Sequence, residues 1–555
     1  MTLDAVRDTL FSALRYGVGA NERPYMPALK WFAAPLAALA LTLPALAAEA
    51  PALVKRDGRY ALMVDGKPFF VLGGQINNSS SWPSTLPDVW PTLTAMHANT
   101  MEAPVYWEQM EPQPGQFDFS TVDALVTGAR QHNLRMVLLW FGTWKNGEDH
   151  YVPEWIKRHP EKYPRMINER GEPVQVLSAN SDVNLEADKM AFRALMHHLK
   201  EIDGEQHTVI LVQVENESGA INAVRDHSPA VEKQFDGQVP ASLVKALGKH
   251  SGTWREVFGA DADEDFQAYS VAHYISEVAA AGKAEMQLPM YCNVWMQYPH
   301  GYRIRGWDRP GFDYPSGGPA QPVIDIWKAT ASHIDMLGPD IYTSDTKAFN
   351  EILAAYHRAD NPVWIPETGL GDAFAKGIFY DMGAGGIGYS PFATDQTGWS
   401  LKPGEIPKLH AENYALLAPM DRDLAEWIFE GKLHTATEEV GQTETSIDLG
   451  RWRAEIGFGD RQRDGEHAPG TPDHMGRVLI AQLDPDTFMV AGFDTRVTLR
   501  LADGVPGHAQ ILRAEEGKYE NGEWQPVRIL NGDQTDRGIN LRHEDTVVRI
   551  RMGTY

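Results

Sequence analysis

Val212-Gln213-Val214-Glu215-Asn216-Glu217 closes the run 208–214, which is β-branched, apolar and short enough to be a strand buried on both faces. A strand of that kind ends on two carboxylates and an amide where its end opens into a polar site. In a parallel α/β barrel the C-terminal ends of the strands are where chemistry is built. A second ending of the same sort stands downstream, at Pro362-Val363-Trp364-Ile365-Pro366-Glu367. One Glu after each of two separate strands predicts a pair of carboxylates facing each other across a cleft. Glycoside hydrolysis requires that arrangement.

Outward from this stretch the chain alternates between helical and strand patterns. Residues 186–202 carry Met190, Ala194, Leu195 and Leu199 at helical spacing and lead into the strand. Near the start, 60–64 and 68–72 flank Asp65-Gly66 as a hairpin, and the second arm runs into the polar end Gly73-Gly74-Gln75-Ile76-Asn77-Asn78. Helix 88–97 precedes strand 99–106, and helix 121–132, capped by Ser120, precedes strand 135–140. Beyond Glu217 the pairs are 266–284 with 289–295, 323–332 with 334–341, 349–358 with 363–366, and 373–382 with 386–389; helix 411–428 closes the set. Eight such steps predict an α/β fold, a (β/α)8 barrel over residues 49–429, with the long loop 217–265 building one wall of the cleft. Past 430 the texture changes. The runs 478–483, 487–492, 496–501 and 546–551 are short and β-rich, and Glu520-Asn521-Gly522-Glu523 signals a hairpin, so residues 430–555 predict an all-β sandwich.

With 50 basic and 75 acidic residues the formal charge is −25, which argues against nucleic acid or an anionic membrane surface as partner and favours a neutral substrate. The one cysteine, Cys292, allows no intrachain disulfide and reads as a small buried hydrophobe. No Cys/His cluster has zinc spacing and no Gly-rich phosphate loop follows a strand, so neither metal nor cofactor is expected. At the N-terminus Lys30, the apolar run 31–43 and Ala45-Leu46-Ala47 read from Met26 as an export leader, with residues 1–25 an upstream extension. The apolar run is too short for a comfortable membrane span. Removal of residues 1–48 would leave an exported protein, periplasmic or secreted, with no stable membrane span. The oligomeric state is not legible.

Glu217 reads as the general acid/base, a carboxyl that must be protonated for one step and ionised for the next. Asn216 beside it can donate to a sugar hydroxyl next to the reacting carbon. Glu367 reads as the nucleophile of a two-step displacement with retention, which needs carboxyl groups about 5–5.5 Å apart. The plainer alternatives are salt bridges at a strand end for Glu215 and Glu217, and a structural acid for Glu367; the pairing of two strand ends favours catalysis. Tyr342, ending the sixth strand, either positions the nucleophile carboxylate or caps the barrel. Trp295, Trp144 and Tyr389 are candidates for stacking on sugar rings, with core packing the default for each. Glu111 belongs to a turn fixed by Pro112 and Pro114-Gly115.

Four stretches carry a resemblance. They are Gly73-Gly74, Asn99-Thr100-Met101-Glu102-Ala103-Pro104-Val105-Tyr106-Trp107, Glu111-Pro112-Gln113-Pro114-Gly115-Gln116-Phe117-Asp118-Phe119 and Gln213-Val214-Glu215-Asn216-Glu217. Over residues 55–420 the sequence resembles glycoside hydrolase family 35, the β-galactosidases that carry the acid/base and nucleophile after strands four and seven. The resemblance implies Glu217 as proton donor, Glu367 as nucleophile, and Asn216 and Tyr106 as sugar-binding. Departures are visible: Trp140-Phe141-Gly142-Thr143-Trp144-Lys145-Asn146-Gly147 where members usually have an acidic residue near a Trp, Thr368-Gly369 after the nucleophile in place of Tyr, and Gln75-Ile76-Asn77 in place of His-Tyr. Gln75 is therefore a candidate substrate contact. These features resemble a bacterial branch with one small C-terminal sandwich, some of whose members remove galactose from plant xyloglucan side chains. The expectation is a retaining exo-β-galactosidase acting on a carbohydrate substrate. The alternatives are another retaining β-glycosidase or an endo-glycanase on the same barrel, or a catalytically silent carbohydrate-binding protein.

Overall fold

The computed structural model describes residues 49–299, 308–398, 400–459, 468–520, 522–542 and 546–555. The leader reading falls on residues 1–48 and lies outside them. Eight parallel strands close into a barrel: β1 (Val71–Gln75), β2 (Thr100–Tyr106), β3 (Arg135–Phe141), β4 (Val209–Val214), β5 (Met290–Val294), β6 (Met336–Ile341), β7 (Ile365–Thr368) and β8 (Gly388–Pro391). Each is buried along nearly its whole length, as apolar runs with helices outside and side chains inside must be. The interior is filled by residues such as Val71, Val137, Leu139, Phe141, Ile210, Tyr291, Met336 and Trp364. Residues Ala52–Arg56, Arg59–Val64 and Lys67–Phe69 form a three-stranded antiparallel sheet, and Leu62, Val64 and Phe69 pack with that interior. The hairpin arm expected over 68–72 thus divides. Its first part pairs backwards at Lys67–Phe69, and from Val71 the chain enters the barrel.

Other boundaries moved for identifiable reasons. Ser120 is the first helical residue of Ser120–Gln131 rather than its cap; Asp118 Oδ1 accepts the Ser120 N–H at 2.9 Å instead. The closing helix is two, Lys408–Leu417 and Asp421–Glu430, separated by a 3-10 turn at Ala418–Met420, because Pro419 has no N–H to continue the ladder. In the seventh strand Val363 and Trp364 are buried and the Val363 carbonyl accepts the Ile387 N–H at 3.0 Å, but the regular ladder begins at Ile365, so Glu367 lies within β7 rather than after it. Hydrophobicity had marked burial there, not the ladder.

Among the described residues beyond Glu430 ten strands follow: β9 (Leu433–Thr437), β10 (Glu444–Leu449), β11 (Trp452–Phe458), β12 (Arg477–Asp484), β13 (Thr487–Phe493), β14 (Thr495–Leu501), β15 (Ala509–Glu520), β16 (Glu523–Leu530), β17 (Ile539–Leu541) and β18 (Val547–Thr554). They form a six-stranded sheet, β9-β12-β13-β18-β15-β16, and a four-stranded sheet, β10-β11-β14-β17. Trp452, Ile456, Phe458, Val478, Ile480, Phe488 and Val490 fill the space between. The larger sheet also rests on the barrel: Thr435 Oγ1 donates to the Phe379 carbonyl at 2.7 Å and Arg477 Nε to Asn413 Oδ1 at 2.6 Å. No described helix is long and apolar enough to cross a membrane.

Candidate active site

The ends of β3 and β4 are joined by backbone bonds. Asn216 N–H donates to the Trp144 carbonyl at 3.2 Å and Gly147 N–H to the Glu217 carbonyl at 2.9 Å. Glu215 and Glu217 both take positive φ, 65° and 44°, which costs non-glycine residues free energy and persists where surroundings enforce it. The twist sends the two carboxylates to different places. Glu215 turns inward: its Oε2 accepts the Trp144 N–H at 2.7 Å, and burial first, then the charge of Asp188, push its pKa well up. Gly142 is required beside it, because a Cβ there would stand 2.7 Å from Glu215 Oε1 and 2.3 Å from Trp140 Nε1. Glu217 turns towards the barrel mouth, its N–H donating to Asn293 Oδ1 on β5 at 2.8 Å.

Across the mouth, Glu367 on β7 is paired in register with Asp340 on β6. Gln75 Nε2, at the end of β1, donates to Glu367 Oε2 at 2.9 Å, and the Tyr342 hydroxyl donates to Oε1 at 2.5 Å. Asn293 Nδ2 donates to Asp340 Oδ2 at 2.7 Å, so one amide links the Glu217 backbone to the Asp340 carboxyl. Glu217, Asp340 and Glu367 each bring a carboxylate oxygen within 4.8 Å of the others. Three oxygens at that spacing could share a hard cation. Both Glu367 oxygens, however, already accept bonds from neutral donors, and the crowding otherwise favours a shared proton. Burial raises the Glu217 pKa to about 7, with the Glu367 charge adding to it and the Lys145 ammonium opposing. Asp340 is pushed well up by burial, then by Glu367 and Glu217.

These groups line a cavity of about 300 Å³ with Asn78, Lys145, Asn146, Trp295, Tyr298 and Phe392. Of the residues singled out from sequence, the structure gathers Glu217, Glu367, Tyr342 and Trp295 here, with Gln75 buried behind Glu367 as its donor. Asn216 lies just behind, fully buried; its Oδ1 accepts from Lys145 Nζ at 2.8 Å, and its Nδ2 has no protein partner among the described residues. Trp144 is not at the cavity. It is buried edge-on against Tyr274, centroids 4.9 Å apart, and what it offers the site is its backbone. Tyr389 faces outward from β8, because alternate residues point to opposite sides, and its hydroxyl donates to the Phe374 carbonyl at 2.6 Å. Tyr106 lines a neighbouring cavity instead, with its hydroxyl accepting the Ser81 N–H at 3.1 Å. From the loop after β4 only Glu217 is among the described lining residues, so the expected wall comes from the loops after β1, β3, β5, β6 and β8.

Sequence reasoning missed Asn293, Asp340 and Lys145 as site members. The first two carry the same signal as Glu217, a polar group at the end of an apolar strand. Lys145 drew notice only as a departure from the family pattern.

Residues 61–310 match the family model for Glycosyl hydrolases family 35. That part of the barrel resembles family 35. Residues 410–542 match a second model, a domain of unknown function named DUF5597. Over 191 residues the chain is 32% identical to a β-galactosidase of Xanthomonas manihotis, covering 33% of this chain and 29% of that protein. It is 28% identical over 179 residues to β-galactosidase 11 of Arabidopsis thaliana, covering 30% and 19%. The matched segments thus span less than a third of these curated relatives. Among solved structures, a cold-adapted β-galactosidase from a Rahnella species aligns with a TM-score of 0.45 at 18% identity, covering 65% of this chain and 58% of that one. The family 35 match covers β1 to β5, and so Glu217 but not Glu367.

Proposed function

We propose that the protein is a retaining exo-β-galactosidase. The observation that carries this reading is the approach of Glu217 and Glu367 across the barrel mouth, with oxygens of both and of Asp340 within 4.8 Å. Inverting enzymes need roughly 6.5–9.5 Å between carboxyl groups to seat a water; the short separation supports retention. In the first step a Glu367 oxygen attacks the anomeric carbon as Glu217 passes its proton to the departing glycosidic oxygen. In the second, Glu217, now ionised, takes a proton from water. That water attacks the same carbon, and Glu367 leaves as carboxylate. Asn216, with Oδ1 held by Lys145, keeps its Nδ2 donors for the sugar side. A cavity of about 300 Å³ suits one sugar better than an extended chain, which favours exo over endo action.

Two finer assignments belong to the same proposal. The family resemblance supports galactose on plant xyloglucan side chains as the substrate class. The leader-like N-terminus supports export to the periplasm or medium. A panel of p-nitrophenyl galactoside, glucoside, arabinoside, fucoside and xyloside compared by kcat/KM tests the activity, with product stereochemistry followed by proton NMR. Galactoside leading the panel with β-galactose formed first supports the reading. Another sugar leading, or α-galactose formed first, overturns it.

A further inference from the structure

Beside the carboxylate pocket lies a second cavity, of about 360 Å³, that the reaction does not use. Three aromatic rings line it in a graded stack. Tyr151 and Tyr106 lie face to face at 5.1 Å and 18°, and Tyr106 and Trp82 at 6.4 Å and 29°. The first two are held in place: Tyr106 accepts the Ser81 N–H, and the Tyr151 hydroxyl donates to the Asn78 carbonyl at 3.4 Å. Trp82, the outermost, is 45% exposed, although the other indoles around the site are half-buried or fully buried. Together with Tyr106 and Tyr151 the indole makes one continuous aromatic face along the cavity, the kind of apolar surface that marks a ligand-binding groove. The two cavities adjoin. Asn78 lines the carboxylate pocket, Ser79 the aromatic one, and the hydroxyl of Tyr151 is fastened to the carbonyl between them.

We propose that this cavity is a binding subsite for the neutral sugar rings on the leaving-group side of the scissile bond, with Trp82 as its stacking platform. The inference rests on the exo reading above: if the pocket holds the terminal sugar, whatever adjoins it receives the rest of the chain. Aromatic faces match the apolar C–H faces of pyranose rings, and Glu108 and Glu154 at the rim supply hydroxyl acceptors. The charge excludes acidic glycans. None of the described lining residues is cationic, while Lys157 and Arg158 nearby are engaged with Glu108 and Glu154.

The test measures binding by calorimetry with turnover removed, in a Glu367→Gln background. One probe is a galactose-capped xyloglucan oligosaccharide; the other is methyl β-galactoside, too short to reach the second cavity. We expect the oligosaccharide to bind more tightly than the methyl glycoside. Trp82→Ala should reduce that preference roughly three- to tenfold, the scale of one stacked ring, and Trp82→Phe should restore part of it. If the oligosaccharide binds no tighter, or if Trp82→Ala weakens both probes alike or neither, the subsite is overturned. Failure of the galactosidase reading looks different: the wild-type enzyme would not release p-nitrophenol from its β-galactoside.

Discussion

Glu217 and Glu367 face one another across a single pocket, yet the chain holds them in opposite ways. Glu217 stands past the end of β4 on a backbone bent to positive φ, while Glu367 lies within β7, extended and paired with β6. Both oxygens of Glu367 receive neutral donors, Gln75 and Tyr342, which stabilise a negative charge and fix its direction. Glu217 has carboxylates for neighbours and burial pushing its pKa to about 7, with Lys145 in opposition. In the proposed reaction identical side chains take different tasks from what reaches their oxygens. A carboxyl fixed in direction by two neutral donors suits attack on carbon; one poised near neutrality suits giving and taking a proton.

The largest break in this comparison comes from Glu367→Gln. The amide keeps the shape but removes the nucleophile, so turnover should fall at least about 10⁴-fold with the thermal unfolding curve little changed. Azide should not restore a product of retained configuration. Near-normal activity would remove Glu367 from its role.

Glu217→Ala should divide substrates by their leaving groups. Poor leaving groups should lose roughly 10²–10⁴-fold, the usual worth of a general acid, whereas dinitrophenyl galactoside needs little protonation to depart. Deglycosylation should slow as well, and azide should speed it by trapping β-galactosyl azide. Equal losses on both substrates with no azide adduct would show that Glu217 is not the acid/base.

How much of this contrast the sequence disclosed depends on what kind of force sets each feature. The barrel was legible because eight apolar runs alternate with helical ones, and burial alone dictates that pattern. Glu217 and Glu367 were legible because a carboxylate at the end of an apolar strand has few bland explanations. The direction of each side chain was not. Glu215 and Glu217 close the same run, and it is the positive φ at both that turns Glu215 to Asp188 and Glu217 to the pocket. Tyr389 and Trp144, candidates for sugar stacking with core packing as the default, take the default, since an aromatic near a strand end faces core or cleft according to a register that spacing alone does not define. Burial and the Glu367 charge both raise the Glu217 pKa, and their relative weights are not legible in a sequence. Burial proves the larger cause, and the opposing cation comes from a loop 72 residues away in the chain (217 − 145).

A smaller effect probes the donors on Glu367. Tyr342→Phe removes one hydrogen bond to a charged group, about 1.5–3 kcal/mol, and should lower kcat/KM roughly tenfold to a hundredfold. The loss should appear with good and poor leaving groups alike, because the bond serves the nucleophile and not the proton. A loss confined to poor leaving groups would place Tyr342 on the acid's side of the pocket.

The finest test of the contrast is Lys145→Met. Glu217 must carry a proton when the substrate meets the free enzyme, so kcat/KM should fall as pH rises through the Glu217 pKa, near 7. The Lys145 ammonium favours the ionised carboxylate and therefore holds that pKa down. Taking the charge away should move the basic limb of the kcat/KM profile to higher pH. Lys145→Arg, which keeps the charge, should leave the limb nearer the wild-type position even if its longer head disturbs the bond to Asn216. The two effects separate cleanly: loss of the Asn216 bond lowers the plateau, whereas loss of the charge displaces the limb. A limb that stays put, or moves to lower pH, in Lys145→Met would mean that Lys145 serves Asn216 alone and that burial by itself tunes the acid.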